Sequence, residues 1–301
     1  MRVPVLAVRT DRPLEEGSLS PGERGLLDAL PAGAQRRRQW LVARHALRVL
    51  LGLLGRPRDV SRYAFPHPGL SLTHTDHDAV AAAAFGPVTR GVGVDLEPVR
   101  TEARLSAARF FLSEPEQNWL AGLTPDVRAA EYVRLWTVKE AVFKSDPANS
   151  GTLLRDYLTL DPAARAGIAR RPGSEHRFGY TCGLLGRGLH MSVAVALDRA
   201  GEQGEPPEDA YHLRSDMPAT FDLVAERISE TLRTPREKLT EDTTLDELAA
   251  DSFMLVEMAV DLQEEFDSTF SQADLRQVVT LGQLVDLLNA PPSGTAGGMD
   301  G

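Results

Sequence analysis

Gly91-Val92-Gly93-Val94-Asp95-Leu96-Glu97 is the stretch on which the fold of this 301-residue chain turns. Its alternation has the period of a β-strand, where side chains at i and i+2 share a face. Asp95 and Glu97 then stand side by side at the strand's end. Two carboxylates so close repel unless a cation lies between them. Oxygen-only ligands suit Mg²⁺, which also favours phosphate oxygens. Alone, such a pair is more often two solvated acids.

About forty residues downstream lies Trp136-Thr137-Val138-Lys139-Glu140-Ala141-Val142-Phe143-Lys144. Glu140 and Lys144 are spaced i, i+4 and share one helix face, which on a surface is worth only about 0.3–0.5 kcal/mol. Trp136, Val142 and Phe143 make this a largely buried helix instead, in which a Lys and a Glu need partners. Upstream, His74 follows an apolar run in Ser71-Leu72-Thr73-His74-Thr75. With threonines beside it at a strand end, it is placed to meet a phosphate. Arg36, Arg37, Arg38, Arg44 and Arg48 cluster near one helix, where Arg44 and Arg48 could line one edge and meet an anion.

Further strands are expected at Val3–Val8, Gly69–Thr73, Ala79–Phe85 and Leu189–Leu197. Helices are expected at Gln35–Leu54, Leu105–Phe111, Pro115–Leu120 (capped by Ser113) and Ala129–Lys144. Trp40, Leu41, Leu47, Leu50 and Leu51 share one face of the first. HMSVAVAL (190–197) is of the same type as HDAVAAAAF (77–85), a hint of two similar halves.

AGEQGEPPEDA (200–210) is acidic and rich in Gly and Pro and reads as a linker; PPSGTAGGMDG (291–301) reads as a disordered tail. The expected boundaries are a first domain at 1–199, a flexible linker at 200–214, a second domain at 215–290 and the tail at 291–301. The second domain reads as all helical. Helices are expected at Phe221–Leu232 after Thr220, at Ser252–Phe266 with Phe253, Val256, Val260 and Leu262 inward, and at Leu281–Leu288 capped by Thr280, with a turn near Ala273–Val278.

Charge divides along the same line. Residues 1–200 hold 27 Lys and Arg against 21 Asp and Glu, a net of +6, whereas residues 211–290 hold 6 against 17, a net of −11. Either the halves attract each other, or the basic half binds an anion. The one cysteine, Cys182, excludes an intrachain disulfide and fits a reducing compartment. The N-terminal apolar run is too short for a signal peptide, and no stretch reaches membrane-spanning length. A cytoplasmic protein is expected.

Together these residues resemble the Sfp-type phosphopantetheinyl transferases. GVGVDLE followed by WTVKEAVFK resembles that family's G-[IV]-D-[IVL]-E strand and W-[ST]-x-K-E-[AS]-x-x-K helix. LSLTHT and ARHALR resemble its segments around a histidine and an arginine. The resemblance covers roughly residues 10–200. It implies an α+β fold of two similar α/β halves related by a pseudo-two-fold axis, with coenzyme A in the cleft between them. It also implies a Mg²⁺-dependent holo-[acyl-carrier-protein] synthase. Asp95, Glu97 and Glu140 would hold Mg²⁺, with Glu140 also the general base and Lys144 neutralising phosphate charge. His74 would contact the coenzyme A 3′-phosphate, Thr75 would lie near the pyrophosphate, and Arg44, Arg24 and Arg38 would supply further phosphate contacts. The family's G-K-P segment before the histidine is replaced by Phe65-Pro66-His67-Pro68-Gly69, without the lysine.

DELAADSFMLVEM (246–258) resembles the attachment site of acyl carrier proteins, which implies a four-helix bundle. Ser252 would carry 4′-phosphopantetheine at a helix N-terminus, a position that favours phosphate. Asp251, Glu257, Asp261, Glu264 and Glu265 would form an acidic recognition face. The expected partners are coenzyme A and acyl or peptidyl carrier domains, the chain's own and others; a monomer is expected, with no nucleic acid and no membrane. Two alternatives stay open: a carrier or scaffold protein with a non-catalytic docking domain, and a transferase for other carriers regulated by the fused module.

Overall fold

The computed structural model describes residues 3–30, 33–86, 89–150, 152–186, 188–198, 219–232, 234–248, 254–255, 258–259, 262, 266, 268, 270, 272–275 and 277–290. The chain forms two compact units, Met1–Pro206 and Pro207–Gly301.

The GVGVDLE stretch is the centre of strand β4, Thr89–Pro98. β4 pairs antiparallel with β8, Leu189–Asp198, placing Asp95 opposite Ser192 and Glu97 opposite His190. β8 continues to β7 (His176–Leu185), β6 (Ala166–Arg170) and β5 (Leu158–Thr159), in the order β4-β8-β7-β6-β5. A second sheet has three strands in the order β1-β3-β2: Val5–Thr10, Ala79–Ala84 and Leu70–His74. This first unit is an α+β arrangement with two sheets.

β3 shows why the two sheets share a core. Its Ala79, Ala81 and Ala83 pack under helix α2 (Ala34–Leu53), against Ala43, Leu47 and Leu50. The alternate Val80 and Ala82 pack with Val92, Val94 and Leu96 of β4. Buried on both faces, the strand reads as a continuous apolar run, and its small side chains let both layers approach. Leu47, Leu50 and Leu51 are fully buried, each contributing about 1.5–3 kcal/mol.

Helix α5, Pro125–Ser145, is buried from Tyr132 to Phe143 without a break. It packs on β4, β8 and β7, and helices α3 (Leu105–Phe111) and α4 (Glu114–Ala121) also contact it. Of the helices described, none is long and apolar enough to cross a membrane.

Helix α1 and the strands β5, β6 and β7 lie outside the sequence expectation. Helix α1, Pro21–Asp28, starts on a capping box: the Ser20 hydroxyl accepts from Glu23 N–H (3.2 Å), and Glu23 accepts from Ser20 N–H (2.7 Å). A correction also concerns Arg48. Its guanidinium donates to Glu23 at 2.5 Å, and Glu23 is fully buried and also accepts from Val60 N–H. Arg48 is therefore the counter-ion of a structural carboxylate and not a companion of Arg44 at an anion site.

In the second unit, helix α6 (Phe221–Leu232) and the C-terminal helix Leu281–Asn289 are accompanied by single turns at Leu245–Leu248 and Gln272–Leu275. Thr280 caps the C-terminal helix by accepting from Gln283 N–H. Val224, Ile228, Met258, Leu262, Leu281 and Leu284 are central to its core. The Asn289 side chain accepts from Ala219 N–H (2.9 Å) and donates to Ala219 O (2.7 Å). Ser252, Phe253, Val256 and Val260 of the expected helix lie outside the described residues, as do the acids at 251, 257, 261, 264 and 265. The expected linker at 200–214 and tail at 291–301 do too.

Candidate active site

A β-carbon on Gly93 would stand 1.8 Å from the Ala141 carbonyl oxygen; one on Gly91 would stand 2.0 Å from that of Ser145. No side chain fits either place. The glycines let the backbone of α5 lie directly on β4. Asp95 and Glu97 continue the same strand face, so the close approach carries Glu140 and Lys144 to them.

All three acids are buried, at 3% exposure for Asp95 and 4% each for Glu97 and Glu140. Lys144 Nζ donates to Asp95 Oδ1 at 2.7 Å and lies 3.8 Å from Glu140 Oε2. Burial works against the lysine's charge, but Asp95, Glu140 and Glu97 outweigh it and hold its pKa above the ordinary value. A second donor to Asp95 Oδ1 is Thr73 Oγ1 of β2, at 3.1 Å. Two residues earlier, Ser71 Oγ accepts from Val94 N–H at 3.0 Å. Asp95 Oδ2 is buried and accepts no hydrogen bond.

This donor set suits a hard cation. Among the described residues, no three His, Cys, Asp or Glu side chains form a group that could by itself hold a metal ion. Mg²⁺ does not need one: it commonly takes one or two carboxylates and leaves its other positions to phosphate and water. Asp95 Oδ2 is a buried oxygen free for that purpose, and Asp95 and Glu97 present oxygen alone. The residues fit the ion as a carboxylate pair rather than as a closed cage.

His74 ends β2 at the rim. It reaches solvent yet is walled in by protein, and that burial, with the charges of Lys144 and Arg44, lowers its pKa and favours the neutral imidazole. Arg44, on α2, lies over the Trp40 ring (5.3 Å) and the Phe65 ring (5.7 Å). Burial lowers its pKa too. Around this cation there are aromatic faces and His74, a setting ready for an anion.

The other expected residues stand differently. The Thr75 hydroxyl is engaged in the turn after β2, accepting from Asp78 N–H (3.1 Å) and His77 N–H (3.3 Å). Arg24 donates to the Glu16 carbonyl at 2.9 Å. Arg38 is exposed near the start of α2. Ser252 lies outside the described residues.

Two buried groups went unread in the sequence. Lys139 is fully buried and donates to Glu116 at 2.7 Å and to the Tyr157 carbonyl. Glu116 also accepts from Thr159 N–H (2.9 Å) and from Ser113 N–H (2.7 Å). His190, opposite Glu97 in the sheet, is 3% exposed, and neither ring nitrogen has a hydrogen-bond partner. An apolar flank at position 139 gives no hint of such partners, because these are long-range, and one at position 190 gives no hint that the imidazole is enclosed.

Comparison with known proteins separates two matches. Residues 91–183 match the 4′-phosphopantetheinyl transferase superfamily, and residues 222–288 match the phosphopantetheine attachment site family. The chain is similar to the 4′-phosphopantetheinyl transferase HetI of Nostoc sp. strain PCC 7120, at 29% identity over 155 residues. That match covers 46% of this chain and 64% of the relative. It is also similar to the acyl carrier protein of Thermotoga maritima, at 36% identity over 69 residues, covering 23% of this chain and 85% of that protein.

Proposed function

Because the chain joins a domain of the 4′-phosphopantetheinyl transferase superfamily to a phosphopantetheine-binding domain of the acyl carrier protein family, we propose that it moves 4′-phosphopantetheine from coenzyme A to a carrier serine, including its own Ser252. The observation that carries this reading is the pressing of α5 onto β4 through Gly91 and Gly93. It gathers Asp95, Glu97, Glu140 and Lys144 beside His74 and Arg44.

In the reaction, the serine oxygen forms a bond to the phosphorus that bears the pantetheine arm. The bond from that phosphorus to the bridging oxygen breaks, and adenosine 3′,5′-bisphosphate leaves. Glu140 takes the serine proton, since the hydroxyl is a poor nucleophile until it is removed. Lys144 moves its charge from Asp95 towards the phosphate oxygens. His74 and Arg44 receive the 3′-phosphate, with Arg24 and Arg38 as outlying cations and Thr75 near the pyrophosphate. Asp95 and Glu97, with Glu140 beside them, would hold Mg²⁺, which when bound would neutralise charge at the pyrophosphate. The two sheet-and-helix layers, α2 with the three-stranded sheet and α5 with the five-stranded one, act as two similar halves with coenzyme A between them. The carrier is a four-helix bundle serving polyketide or nonribosomal peptide assembly.

Intact-protein mass spectrometry tests this directly. The chain is incubated with coenzyme A and Mg²⁺ beside Ser252→Ala and Glu140→Ala. The expected result is a gain of one phosphopantetheine in the parent and none in either variant. A parent that starts unmodified and gains nothing would instead support the reading of a docking platform or an enzyme reserved for other carriers.

A further inference from the structure

We infer that Thr73 is a positioning residue that fixes which oxygen of Asp95 faces the cation. The inference rests on the reading of Asp95 as a divalent-cation ligand. It starts at the seam between the two sheets. β2 pairs with β3, and β4 pairs with β8. Where β2 passes β4, two side-chain hydroxyls reach across: Ser71 to the Val94 backbone and Thr73 to Asp95.

Thr73 is buried at 7% exposure, so its hydroxyl cannot rely on water for an acceptor. It donates to Asp95 Oδ1 at 3.1 Å. Lys144 donates to the same oxygen at 2.7 Å. Two donors from different elements therefore converge on Oδ1, while Oδ2 is buried and accepts none. A carboxylate held by one oxygen cannot turn freely, and Oδ2 is the oxygen it presents. Lys144 is shared with the substrate phosphate, so its hold on Asp95 is intermittent. Thr73 is enclosed and its hydroxyl is spent on Asp95, which makes it the steadier part of the arrangement. Partners of this kind commonly change metal affinity by 10–100-fold.

Electron paramagnetic resonance of free Mn²⁺ provides a readout independent of turnover. The full chain carries Ser252→Ala, with Thr73→Val, Thr73→Ser or Asp95→Asn added. Thr73→Val keeps the shape and removes the hydroxyl. Its Mn²⁺ affinity should fall about tenfold, and the Mg²⁺ concentration for half-maximal rate on the Glu140→Ala chain as acceptor should rise to match. Thr73→Ser should stay within about twofold of the parent, because the donor is restored. Parent-like Mn²⁺ binding by Thr73→Val would overturn the inference. So would equal weakening by Ser and Val, which would point to shape alone. Asp95→Asn separates the two levels. If it binds Mn²⁺ undiminished, the metal reading itself fails. If it loses Mn²⁺ while Thr73→Val keeps it, only the positioning role fails. Thr73→Ala, which cannot overpack, gives the same readings should the valine chain not fold.

Discussion

At position 93 a methyl group has nowhere to go. Gly93→Ala would push a carbon to 1.8 Å from one helix carbonyl and 2.7 Å from the Ser145 amide nitrogen, both backbone atoms that no rotamer change can move. A loss of at least about 3 kcal/mol is expected, read as a lower thermal midpoint together with lost transfer activity. His190 supplies a second expectation at this scale. Burial depresses its pKa from 6.5 to about 4, so the folded state holds the imidazole neutral where the unfolded chain would protonate it. Stability from this group is full above pH 6.5 and falls as the pH drops towards 4. The stability of the parent relative to His190→Leu, measured by urea titration, should therefore fall by on the order of 3 kcal/mol between pH 7 and pH 4. Asp95 with Glu97, and Glu140 with Lys144, were legible in the sequence as two pairs from strand and helix periods, and the family resemblance implied that the pairs belong to one site. The bond from Thr73 to Asp95 was not legible, because it joins different sheets across 22 positions.

Helix α5 shows what an element hides from periodicity. Buried on every side, it has no polar stripe. Its charged residues are held by particular partners instead. Lys139 and Glu116 lock α5 to α4, both essentially fully buried. Removing one partner leaves a buried charge unmatched, so Lys139→Met and Glu116→Gln should each cost about 3–5 kcal/mol. The double variant should cost less than their sum, and a double-mutant cycle in urea checks it. The strands β4 and β8 and the helix α2 could be read ahead, since each keeps one period over several residues; α5 was read ahead without one. β7 could not: Gly179, Thr181, Cys182 and Gly183 break the apolar alternation along a strand whose outer positions are half-exposed. Helix α1 did carry a signal, the Ser20 to Glu23 capping pair, but it has too few apolar residues to show a period.

For the whole molecule, the two units carry opposite charge in sequence and share one chain. A tether of roughly fifteen residues can supply an effective concentration near the millimolar range if it spans the sites. Self-modification should then run at a rate independent of chain concentration. A mixture of Ser252→Ala and Glu140→Ala chains, which can react only between molecules, should be roughly a hundredfold slower at micromolar concentration. Equal rates measured by mass spectrometry would mean that copies modify one another.

The Asn289 side chain that grips both backbone groups of Ala219 carries a further meaning. The described residues of the second unit begin and end at one spot, like a loop of thread drawn through a single eyelet. A unit built that way does not have to sit at the end of a chain. It could be stitched into a surface turn of a host, or its ends spliced and new ones opened elsewhere, without stretching its packing.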